Sequence, residues 1–85
     1  MAELSEILPK VKEMLVERLF LDVKPQEIAD EENLVDRFGI DSVRIFEVVV
    51  GLEEQFGVDF ADEDFSVERF STARSIAEIV IAKNG

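Results

Sequence analysis

The apolar positions divide the chain into helical pieces separated by stretches with no period. Between residues 5 and 21, Ile7, Leu8, Val11, Leu15, Leu19 and Phe20 recur every three or four positions or side by side, with Glu6, Lys10, Glu13, Glu17 and Arg18 mostly between them. That spacing predicts a first amphipathic helix. Ser5 is its candidate N-cap, and Pro9 is expected in the first turn, where a missing N–H costs least. The clearest stripe runs from 42 to 56. Wound into a helix, Ile45, Val49, Leu52 and Phe56 fall within about 60° of one another, flanked by Phe46 and Val48. Gly57 follows as the expected stop. Val58 and Phe60 lead into a short acidic helix expected around Asp62 to Glu68. A last helix begins near Thr72, with Ser71 or Thr72 as cap, Ile76, Ile79 and Val80 as its apolar face, and Asn84-Gly85 at its end.

Residues 22–41 have no long period. Asp22, Pro25, Asn33 and Gly39 punctuate them, and Ile28, Leu34, Val35 and Phe38 stand as isolated apolar anchors. A connection of about 20 residues is unusual in a small domain. Its spaced anchors predict an ordered loop laid across the core. The fold class that follows is all-α: a small four-helix bundle with three longer helices, one short helix and a long ordered loop between the first two.

Composition narrows the function. The chain has 85 residues and no Cys or His, with a formal charge of −11 and 47% apolar residues. One domain spanning 1–85 is expected, with enough Val, Ile, Leu and Phe to bury a core and no disulfide to staple it. Without His or Cys, neither a Ser–His nor a Cys–His nucleophile pair can be built, and the common zinc ligand sets are missing. No catalytic or metal-ligating residue is assigned, and autonomous catalysis is not expected. The charge opposes nucleic-acid binding. No signal-peptide pattern or membrane-length apolar run occurs, so a cytoplasmic monomer is expected.

The side of the 42–56 helix opposite its core stripe is less ordinary. Val43, Glu47, Val50 and Glu54 are spaced i, i+4, i+7 and i+11 and share one line. Single exposed apolar residues are normal on any surface. The sharper reading is a docking face, with apolar contacts for affinity and carboxylates steering a basic partner. Just ahead lies Gly39-Ile40-Asp41-Ser42. Either Asp41 or Ser42 serves as an N-cap there. The same position puts an exposed hydroxyl where the helix dipole and free N–H groups favour an anionic substituent.

These residues together resemble the acyl carrier protein family. Its Asp-Ser-Leu attachment motif after a small Gly-X element is similar to Gly39-Ile40-Asp41-Ser42-Val43. Glu47 and Leu52-Glu53-Glu54-Gln55-Phe56 follow at family-like spacing, and Asn33-Leu34-Val35-Asp36-Arg37-Phe38-Gly39 looks like the approach to the motif. The resemblance implies that Ser42, flanked by Asp41, carries 4′-phosphopantetheine, transferred from coenzyme A by a separate Mg²⁺-using phosphopantetheinyl transferase. The cofactor thiol then holds acyl cargo as a thioester, so reactive sulfur comes from the cofactor and catalysis from partner enzymes. It further implies that Val43, Arg44, Glu47, Val50 and Glu54 face acyl-transferring, synthase or ligase partners with basic docking patches. Leu34, Val35, Phe46, Val49, Leu52, Phe60, Phe70, Ile76 and Ile79 would line an acyl-accepting core; ordinary core packing is the plain alternative for that set.

Three departures bear on cargo. Val43 replaces the usual Leu. Arg44 stands where fatty-acid carriers often have Asp or another polar residue, which puts a positive charge on the docking side. Phe65, Phe70, Thr72, Ala73 and Ile76 look more like D-alanyl and other specialised carriers. Fatty acyl is the first reading of the cargo; aminoacyl, polyketide or nonribosomal cargo is the second. The rival from another class is a non-catalytic acidic interaction domain with Ser42 as a plain cap. A calcium loop in Asp59 to Asp64 is disfavoured because Ala61 occupies its third position.

Overall fold

The computed structural model describes residues 3–61 and 64–84. They form α1 (Leu4–Leu19), α2 (Leu34–Phe38), α3 (Ser42–Phe56) and α4 (Ala73–Asn84), with a 3-10 turn, Pro25–Glu27, between α1 and α2. The architecture is the expected all-α bundle. α1 is the shared partner, packing against α3, α4 and the 3-10 turn. Its buried face is Ile7, Val11, Met14, Leu15 and Leu19; α3 contributes Ile45, Val48, Val49 and Leu52, and α4 contributes Ala73, Ile76, Ala77, Ile79 and Val80. Phe70 is the largest fully buried side chain, at 1% exposure. Burying a side chain of that kind contributes about 1.5–3 kcal/mol.

The helix ends differ in detail from expectation. Glu3, not Ser5, is the N-cap of α1, and it caps through its backbone carbonyl, which accepts from Glu6 and Ile7 at 3.0 Å. Pro9 consequently lies beyond the first turn, inside the helix. The Ser5 carbonyl loses its i+4 donor, and the exposure of Ser5 leaves that oxygen to water. The 22–41 loop is ordered as expected, yet it contains α2, capped by the Asn33 carboxamide accepting from Asp36 N at 3.0 Å. The short helix expected around Asp62 to Glu68 is described only in part, with Asp64 in 3-10 conformation. Asp62 and Glu63 lie outside the described residues, and residues 67–70 are a turn closed by Phe70 N on Ser66 O at 3.2 Å. Thr72 caps α4, its Oγ1 accepting from Ser75 N at 3.0 Å, while the Ser71 hydroxyl donates to Glu68 O at 2.7 Å.

Phe20 departs furthest. It extends the apolar stripe of α1 in sequence, but α1 stops at Leu19 and Phe20 becomes its C-cap, 91% exposed with φ 53° and ψ 46°. The other two left-handed C-caps are Gly39 (φ 63°) and Gly57 (φ 67°). A residue with a Cβ loses about 1–2 kcal/mol in that region. Phe20→Gly is therefore expected to stabilise by about 0.5–1 kcal/mol, after allowing for the looser unfolded chain. Thermal circular dichroism should show a rise in midpoint of about 2–8 °C; an unchanged or lower midpoint would mean that Phe20 makes compensating contacts.

Asp64 ties the 58–72 segment to α4. Its carboxylate accepts from Lys83 Nζ at 2.7 Å and from Ala61 N at 2.8 Å, with Arg69 at 3.5 Å. The Lys83 hydrogen bond, followed by the Ala61 amide, holds the Asp64 carboxyl below its ordinary pKa. A carboxyl depressed in the folded state stabilises above its unfolded pKa, and that contribution fades as pH falls through the lower folded value. Asp64→Asn should therefore be less stable than the wild type at neutral pH, with the gap closing below about pH 4. Melting curves of both proteins across that range check it, and a gap independent of pH would contradict it.

Candidate functional site

The approach to α3 is pinned from beneath and from the side. Ile28, Leu34 and Ile40 are buried at 1%, 0% and 3% exposure, so the loop enters the core at three points before it reaches Asp41. Two backbone bonds fasten it laterally: Leu34 N to Ser71 O at 2.7 Å, and Arg74 N to Asp30 O at 3.0 Å. Arg37 adds a bond to Glu27 O at 3.0 Å and an ion pair to Glu32. Gly39 ends α2 by donating to Val35 O at 2.9 Å, and Ile40 then fixes the chain one residue before the next cap.

Asp41 is that cap. Its backbone is extended (φ −104°, ψ −175°), and its Oδ1 accepts from Arg44 N at 3.0 Å. The choice between Asp41 and Ser42 is thereby settled by geometry. Ser42 is the first residue of α3 and is exposed. The amides of a first helical turn have no intrahelical acceptor, so the hydroxyl sits beside free N–H groups at the positive end of the dipole. An exposed hydroxyl in that field suits a phosphodiester.

Beyond Ser42 the outward stripe is present but not bare. Val43 is 71% exposed and Val50 half-buried. Glu47 and Glu54 both meet Arg18 of α1, Glu47 at 3.8 Å and Glu54 in direct hydrogen-bonded contact. Arg44 has a partner that its place in the sequence does not show. Its guanidinium keeps its charge but does not hang free: Nη1 turns back and donates to Leu19 O at 3.3 Å. Leu19 O is one of the last carbonyls of α1, which lack intrahelical donors. The antiparallel packing of α1 on α3 brings it within reach.

Of the core set, Leu34, Val49, Leu52, Phe70, Ile76 and Ile79 are buried, and Val35 and Phe60 pack half-buried against them. Phe46 does not belong with them: it is 55% exposed and pairs with Phe65 at 5.8 Å between ring centroids. Its position one residue past Ile45 turns it about 100° off the core stripe. A groove of about 510 Å³ lies elsewhere, between α1 and the 3-10 turn, against Leu8, Pro9, Lys12, Pro25 and Asp30. Sequence reasoning took Arg18 for a polar spacer and missed its place in the site. The signal available was a base in the last turn of α1 facing two acids seven residues apart on α3.

Known proteins agree with this geometry. The family model described as "Phosphopantetheine attachment site" matches residues 9–80. An acyl carrier protein of Bdellovibrio bacteriovorus is 36% identical over 75 residues, covering 88% of this chain and 91% of that protein. A solved structure of the acyl carrier protein from Enterococcus faecalis, studied for its high thermal stability, superposes with a TM-score of 0.72 at 26% identity, over 96% of this chain and 99% of that one. The match spans α2, α3 and the turn between them, where the exposed serine sits. The chain belongs to the acyl carrier protein family, whose members bear phosphopantetheine and carry cargo without catalysis of their own.

Proposed function

We propose that Ser42 is the attachment residue for 4′-phosphopantetheine and that residues 1–85 act as one monomeric carrier domain in the cytoplasm. The observation that carries the reading is that Asp41 takes the N-cap, so the Ser42 hydroxyl is exposed and not needed to hold α3 together. A phosphopantetheinyl transferase with coenzyme A and Mg²⁺ would bond the Ser42 oxygen to the phosphorus on the pantetheine side of the coenzyme A pyrophosphate, breaking its P–O bond; adenosine 3′,5′-bisphosphate leaves and the hydroxyl proton passes to a base of the transferase or to solvent. The first amides of α3 then lie beside the new phosphodiester. The group supplies the thiol to which acyl cargo is linked. Val43, Glu47, Val50 and Glu54 form the partner face, meeting basic patches on synthase, ligase or acyl-transferring enzymes.

For cargo, fatty acyl or a related acyl group is the first reading. Leu34, Val49, Leu52, Phe70, Ile76 and Ile79 form one continuous apolar cluster that a chain would enter. Aminoacyl or specialised cargo is the second. It is favoured by Phe60 and Phe65, which pack half-buried against that cluster, Phe60 against Phe70 with centroids at 5.9 Å, and take up space there.

Two variants separate attachment from capping. Incubation with coenzyme A, Mg²⁺ and a broad-specificity transferase should add one phosphopantetheine to the wild type by intact mass, and none to Ser42→Ala. A Ser42→Ala protein that still gains the mass would overturn the assignment. Asp41→Ala should lose about 1 kcal/mol of stability with the cap, whereas Asp41→Asn, which keeps the acceptor oxygen, should lose little. Thermal melting of the pair reads the difference; equal losses would mean that the charge, not the cap, is what α3 needs.

A further inference from the structure

We propose that Arg18 is an affinity-setting residue: an internal cation that occupies the partner-binding carboxylates of α3 and competes for them with a docking partner. This rests on the reading of Glu47 and Glu54 as docking residues. Every carboxylate on α3 and at its cap is already engaged. Asp41 accepts from Arg44 N, and Glu53 accepts from Phe60 N at 3.1 Å. Glu47 and Glu54 share the Arg18 guanidinium. Of these contacts only the Arg18 pairs can be exchanged for a partner's cation without stripping a backbone amide of its acceptor.

The placement of Arg18 is built into the helix packing. Gly51 stands on α3 between Glu47 and Glu54, four residues after one and three before the other. A Cβ there would meet Met14 Sδ at 2.7 Å and Arg18 Cγ at 3.2 Å. The stem of Arg18 thus lies on the bare backbone of Gly51, which delivers the guanidinium between the two acids. The side chain of Arg18 is 30% exposed, against 52% for Glu47 and 62% for Glu54. Pairs this wet are weak enough to exchange and strong enough to bias an equilibrium. A docking surface with a cation of its own competes with Arg18 for the charge of the same two carboxylates, so Arg18 lowers affinity for basic partners. The release is reversible, since Arg18 remains tethered and recaptures the acids when the partner leaves.

Steady-state kinetics of a broad-specificity phosphopantetheinyl transferase, with the carrier as the varied substrate at low salt, test this. Arg18→Gln and Arg18→Met should each lower KM by about two- to five-fold, the range one exposed ion pair spans, with kcat unchanged. Arg18→Met keeps an apolar stem on Gly51, so it guards against a packing defect in the Gln variant, and circular dichroism confirms that each is folded. Arg18→Lys should stay near the wild-type KM. Lys10→Gln removes the same charge from α1 about two turns away and should leave KM unchanged. A KM that rises or holds in both Arg18 variants overturns the proposal, as does an equal fall in Lys10→Gln, which would signal net charge alone. Glu47→Gln and Glu54→Gln separate the two layers. If they raise KM while the Arg18 variants do not lower it, docking stands and the Arg18 role falls. If they leave KM unchanged, the docking face itself is wrong.

Discussion

The approach of α1 to α3 at Gly51 sets the positions on which the site depends. With no side chain at 51, the Met14 and Arg18 side chains rest on the α3 backbone, in space that a Cβ could take only if Met14 moved aside. From that contact the rest follows in register. Moving along α1 from Met14 toward Leu19 is moving along α3 from Gly51 back toward Arg44, so the C-terminus of α1 arrives at the N-terminus of α3. The Leu19 carbonyl then receives Arg44, and Arg18 falls between Glu47 and Glu54. The first turn of α3, with Ser42 on it, is therefore braced by α1 on one flank and by Ile40 in the core beneath.

The acidity of the chain works within that frame in two ways. Between Asp41 and Glu68 the sequence has Arg44 as its one cation, which invites the view that the whole run serves recognition. Part of it is local structure, as are acids earlier in the chain. Outside the regular helices, carboxylates accept from backbone amides three residues away on the chain: Glu27 from Lys24, Glu32 from Ala29, Asp41 from Arg44 and Asp64 from Ala61. Glu53 reaches further, to the Phe60 amide. A chain with long irregular segments must satisfy their amides somehow, and here short acidic side chains do it. On α3 the carboxylates left for a partner are the two that Arg18 holds.

The long, strongly periodic elements were legible in the sequence. α3 begins at Ser42, ends at Phe56 and stops at Gly57, as its apolar stripe and the glycine predict, and Thr72 caps α4. α2 was hidden because five residues make too few turns to display a period, although its Asn33 cap and Gly39 stop frame it in sequence. Phe20 was misassigned because its spacing continues α1, while the chain turns left-handed there and sends the ring into solvent. Arg44 and Arg18 were illegible for a shared reason. What each side chain touches lies on another helix, and periodicity within one element says nothing about partners in the next. The exposed serine at the start of α3 was legible; the contacts of the cations beside it were not.

A carrier differs from an inhibitor or a structural subunit in that it must leave each partner as readily as it arrives. Electrostatic steering raises encounter rates, and a face of unpaired carboxylates would do that well. The same face would also slow departure once the charges met partners in a desolvated contact, since affinity differences among related complexes lie mostly in dissociation. A tethered guanidinium at the rim resolves the conflict. It leaves the long-range field of a −11 chain almost intact, because one cation changes the total little. At contact distance it competes directly for two carboxylates, and exposed pairs worth at most about 1 kcal/mol exchange without a large barrier. Long-range attraction and short-range affinity are thereby set by different residues, the first by the many acids and the second by Arg18 seated on Gly51.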